Sequence, residues 1–147
     1  MAMYVAVAAI AGILIPLQAL VNARLGGYIG GPIWASLVSF GVGFLALAAY
    51  LAVMRPQTPA LSGFSSVPAW AFVGGALGAF FVATSTLVVP KLGAAAMVSV
   101  IIAGQLIGSL ILDHFGVLQS PQPISWIKLV GVALLLGGAY LILRPVG

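Results

Sequence analysis

AAAMVSVIIAGQLIGSLILDHFG, residues 94–116, decides the architecture. From Ala94 to Leu112 the stretch carries no charge, and it ends at Asp113, the only acidic residue in the chain. A helix needs about 20 mostly apolar residues to cross the hydrocarbon core of a bilayer, so this stretch reads as one span. A charge beside hydrocarbon is costly and persists only where it meets water or a partner. The Asp113-His114 pair therefore marks a boundary or a functional group. Within the span, Gln105, Ser109 and Asp113 recur at steps of four, which places them on one helix face. Gly104 and Gly108 lie beside that stripe in a spacing that lets a second helix approach closely.

Outward from this stretch, the chain has the same character. Its 147 residues are 63% hydrophobic and 4% charged, with a mean hydropathy of +1.30. Soluble domains carry about 25% charged residues, so the composition describes an all-α integral membrane protein. Five segments qualify as spans, approximately 3–23, 32–54, 68–89, 93–113 and 125–144, in a single membrane domain covering 1–147. β-Barrel strands are shorter and alternate polar with apolar residues, a pattern missing here. The first segment resembles a signal peptide in its small residues Val21-Asn22-Ala23. No basic residue precedes its apolar core and four more spans follow, so it is expected to be a retained helix. Gly26-Gly27 and Gly30-Gly31 flank the first turn, Pro32 opens the second helix, Gln57 to Val67 forms the longest polar connection, and Pro90-Lys91 breaks the chain between helices three and four. Ser125 is the expected N-cap of helix five.

The net charge of +4 is spread over Arg24, Arg55, Lys91, Lys128 and Arg144. No basic cluster grips nucleic acid, and boundary Lys and Arg serve as topology signals. The side holding the N-terminus receives Arg55 and Lys128; the other receives Arg24, Lys91 and Arg144. Orientation follows such a bias, and a difference of one charge is small enough for insertion both ways, with a slight preference for an outside N-terminus. Two oppositely inserted copies make an inverted pair, an arrangement many transporters build into one chain. The expected partners are the bilayer, a small-molecule substrate of unknown identity, and either an antiparallel homodimer mate or an oppositely oriented sister protein. The single His, single Asp and lack of Cys leave no expected metal site, disulfide or cofactor.

The polar residues inside the spans are the candidates for function. In helix one, Pro16 removes a hydrogen bond to Gly12 and forms a hinge with it. Gln18 and Asn22 share a face, and amides within a membrane need partners. They either line a substrate cavity or bond between helices. The same alternatives hold for Gln105 and Ser109. Thr84 is a further cavity candidate, although membrane hydroxyls also bond to their own helix. Trp34 is either an interfacial belt residue or a ring for a bound cation. Asp113 and His114 are either an interfacial helix end in contact with its loop or a gate and proton site. Gly104 and Gly108 are read as packing positions.

Pro16-x-Gln18-x-x-x-Asn22-x-x-Leu25-Gly26, Gly74-Gly75-x-x-Gly78, and Gly104-Gln105-x-x-Gly108-Ser109-x-x-x-Asp113-x-Phe115-Gly116 together resemble the five-helix YdcZ branch of the drug/metabolite transporter superfamily. The resemblance covers nearly the whole chain, and Gly104 to Gly116 is its most specific part. It implies a bacterial inner-membrane protein related to small multidrug resistance proteins and to ten-helix EamA-type metabolite transporters that look like two inverted five-helix halves. The implied function is secondary transport of a small metabolite or drug-like molecule by alternating access in a dual-topology dimer. The alternatives are a dual-topology ion channel and an accessory subunit; no catalytic constellation points to an enzyme. The small multidrug resistance relatives use a glutamate in helix one for proton and cation exchange. This chain has Gln18 as the nearest polar residue there, so neutral or zwitterionic cargo is expected in place of proton-coupled cation exchange.

Overall fold

The computed structural model describes residues 1–57 and 67–144, and all its regular structure is helical. In chain order the helices are α1 (Ala2–Ile29), α2 (Pro32–Met54), α3 (Val73–Leu92), α4 (Ala94–Phe115) and α5 (Trp126–Leu143), with a 3-10 turn at Ala69–Phe72 leading into α3. All five spans are long and apolar enough to cross a membrane. They are apolar on every side, and most large hydrophobic side chains face outward. That inverts a soluble fold and suits a protein whose surface meets hydrocarbon.

Several boundaries follow local chemistry read from the sequence. Pro32 occupies the first turn of α2, where its missing N–H costs nothing. The Ser125 hydroxyl accepts the Lys128 backbone N–H at 3.3 Å and caps α5. Two boundaries depart from expectation. The first helix does not stop near residue 23; α1 runs through Gly26-Gly27 to Ile29 and ends where Gly30 adopts φ 95°. Only glycine enters that left-handed region at no cost, and an N–H there closes on the Gly26 carbonyl. The break at Pro90-Lys91 is also absent, because Pro90 lies inside the last turn of α3, which continues to Leu92. The Gln57–Val67 connection falls largely outside the described residues, as does Pro145 beyond Arg144.

The chain divides into two compact units, Met1–Lys91 and Leu92–Gly147. In the first, α1 pairs with α2, the Phe40 ring of α2 lies over Gly78 of α3, and a small core gathers Ala19, Asn22, Ala35, Ser36, Ser85, Thr86 and Val89. In the second, α4 pairs with α5, and their connecting turn is folded back on Asp113. The Asp113 carbonyl accepts the N–H groups of Gly116 at 3.2 Å and Gln122 at 2.7 Å, and its carboxylate accepts the Gln119 side-chain amide.

Candidate functional site

The first unit buries polar side chains in a membrane protein with few charged residues, and several of them converge. Asn22 of α1 is 3% exposed and Thr86 of α3 is 2% exposed. Both line one narrow cleft between α1 and α3, together with Gln18 and Ser85. The Ser85 hydroxyl donates to the Phe81 carbonyl at 2.8 Å, the local back-bonding open to helical serines. Ser36 does the same to Pro32. Asn22 Nδ2 and Thr86 Oγ1 have no hydrogen-bond partner among the described residues. Buried polar atoms are nearly always paired, and an unpaired one costs about 1–3 kcal/mol. Pro90, four residues beyond Thr86, has no N–H to give to the Thr86 carbonyl, so α3 places further hydrogen-bonding capacity at this point.

The cleft volume is about 10 Å³, on the order of one water molecule. It lies between two larger openings. Gln18 also lines a groove of about 360 Å³ between α1 and α2, walled by Phe40, Phe44 and Leu47. Thr86 also lines an opening of about 300 Å³ bordered by Gly26, Gly27, Pro90 and Lys91. The polar cleft thus shares Gln18 with an apolar groove and Thr86 with an opening that has a cation at its rim. It holds donors and acceptors without a formal charge, so its chemistry suits uncharged hydrogen-bonding groups.

Of the residues singled out from sequence, the structure brings Gln18 and Asn22 to this cleft. Gln18 is exposed where Asn22 is buried, and Pro16 and Gly12 lie on the same helix. Thr84 is exposed; Thr86, not among the candidates, occupies the cleft. Trp34 is exposed in the first turn of α2 with its ring near Gly30. Ser109 and Asp113 meet in a separate groove between α4 and α5. Gln105 is exposed on α4, and a Cβ built at Gly104 or Gly108 meets nothing within 4 Å. His114 is exposed with its ring edge-on to Phe115 at 5.2 Å. No group of three metal-binding side chains exists among the described residues.

The profile of a family described as "Putative inner membrane exporter, YdcZ" matches residues 3–141. The chain belongs to the YdcZ family. A curated relative, the inner membrane protein YdcZ of Escherichia coli (strain K12), is 40% identical over 80 residues, 54% of this chain and 54% of the relative. The match thus spans about half of that relative's length. No solved structure matches the chain. YdcZ membership and five apolar helices make this a multi-pass inner-membrane protein.

Proposed function

We propose that the chain is a small secondary transporter, an exporter of a small organic metabolite or drug-like molecule, working by alternating access in an antiparallel pair. The observation that carries this reading is the Asn22–Thr86 cleft. Two buried, unpartnered polar atoms, Asn22 Nδ2 and Thr86 Oγ1, on two membrane spans are costly to folding and useful for holding polar cargo. The family description as an exporter agrees. Pairing is supported by the exposed amides of Gln18 and Gln105 within the spans, which hydrocarbon covers poorly, and by the open Gly104–Gly108 face. The near-balance of basic residues across the two sides favours insertion in both directions.

Sidedness tests the pair directly. The chain has no native cysteine, so Gln57→Cys can be labelled by an impermeant maleimide from outside intact cells. About half the molecules should label, as expected from dual insertion; complete or negligible labelling gives one fixed orientation and removes the homodimeric antiparallel pair. Cargo charge is tested separately. With no carboxylate among the cleft residues, purified protein should release no protons when mixed with a quaternary ammonium compound. Stoichiometric release would contradict a neutral or zwitterionic cargo.

A further inference from the structure

The second unit carries its own groove, unused by the reading above. It holds about 410 Å³ between α4 and α5, with Asp113 on the α4 wall and Lys128 on the α5 wall. These are the chain's only acid and one of its five basic residues, both half-buried. Asp113 is in the last turn of α4 and Lys128 in the first turn of α5, so both charges sit at the same end of the spans, at headgroup depth. No ion pair joins them, and the Asp113 carboxylate turns one oxygen to Gln119.

Below the charges the walls are apolar apart from Ser109, one turn below Asp113 on the α4 side. Leu106 and Leu110 line one side, Val132 and Leu135 the other. Leu106 lies seven residues from Asp113, and Leu135 seven from Lys128, so the trough runs roughly 10 Å towards the midplane on both sides. A fully apolar occupant would strand both charges in a low dielectric. A soluble zwitterion would leave the trough uncovered. The complementary occupant is an amphiphile with a cation and an anion at its head and an acyl chain beneath.

We propose that the α4–α5 groove is a binding site for phosphatidylethanolamine. Its primary ammonium donates to the Asp113 carboxylate, its phosphate pairs with Lys128, and an acyl chain lies in the trough. The ammonium carries N–H donors, so it forms a charge-assisted hydrogen bond with a carboxylate. Phosphatidylcholine has the same charges and no N–H. Phosphatidylglycerol offers Lys128 its phosphate but presents Asp113 with no cation. Selectivity therefore rests on Asp113, and Lys128 strengthens phospholipid binding generally.

The test is native mass spectrometry of the full chain, equilibrated with phosphatidylethanolamine, its mono- and dimethyl derivatives, phosphatidylcholine and phosphatidylglycerol of identical acyl composition. Retention should fall along the methylation series, by about fivefold from the primary amine to choline, as expected for loss of a charge-assisted hydrogen bond. Asp113→Asn keeps the backbone bonds of the turn and a side-chain acceptor for Gln119; it should bring all five lipids within about twofold of one another. Equal retention of ethanolamine and choline lipids by the unaltered chain, or a preference for phosphatidylglycerol, would overturn the proposal. So would an Asp113→Asn protein that keeps the full ethanolamine preference. The unaltered chain alone decides the matter if that variant does not fold.

Discussion

Thr86→Val should raise the thermal stability of the purified protein by about 1–2 kcal/mol, the sign opposite to that of most buried substitutions. Valine matches threonine in shape. The exchange removes Oγ1, a buried atom without a partner, and leaves the packing of α3 on α1 in place. Asn22→Leu should follow with a smaller gain, since its Cγ branch fills the amide's space less exactly. Both variants should lose transport if, as proposed above, the atoms that burden the fold are those offered to cargo. Such a trade between stability and activity is expected where a site is kept for function. Thermal unfolding in detergent measures the effect. A loss of about 1 kcal/mol or more on Thr86→Val would mean that the hydroxyl serves a structural hydrogen bond, and the cleft would lose its standing as a cargo site.

Gly116→Ala should be the most damaging small substitution in the second unit. Gly116 ends α4 at φ 64°, ψ 36°, where a side chain is strained by about 1–2 kcal/mol. A Cβ there would also lie 2.7 Å from Pro121 Cδ and 2.8 Å from the Pro121 nitrogen. The obstructing atoms belong to a proline ring and the main chain, so neither rotates away. The turn also carries the Asp113–Gln122 and Val117–Leu112 backbone bonds, which would be displaced together. The combined cost is about 3 kcal/mol or more, read as a fall in folded yield and melting temperature. Gly137→Ala, in the same unit with no atom within 4 Å, is the control: a similar loss there would mean that chain-wide helix packing, and not this turn, sets the sensitivity.

The spans and several of their ends were legible because each rests on a short-range cause. A long uncharged run must cross the bilayer, Pro32 favours a helix start, and Ser125 offers an oxygen to the N–H groups that follow. The faces of the helices were less legible. In a soluble helix the buried side is the apolar one; here the exposed sides are apolar too, and two of the three residues that α3 buries, Ser85 and Thr86, carry hydroxyls. Thr84 therefore looked as good a candidate as Thr86. One signal did separate them: Pro90 stands four residues after Thr86, so the helix gives up a backbone bond at that residue. Gly26-Gly27 misled in the other direction. Glycine weakens a helix by about 1 kcal/mol per residue, too little by itself to end α1, and the end came at Gly30.

α1 has 28 residues, about 42 Å of helix against a hydrocarbon core of about 30 Å. Its uncharged portion, Ala2–Ala23, matches the core, so Arg24 to Ile29 project into the headgroup layer. The opening bordered by Gly26, Gly27 and Lys91 belongs to that level, where water penetrates a bilayer. Thr86 is common to this opening and the cleft. On the transport reading proposed above, a molecule would then meet Thr86 from water without first dissolving among acyl chains, and its hydrogen-bonding groups, more than its lipophilicity, would govern admission.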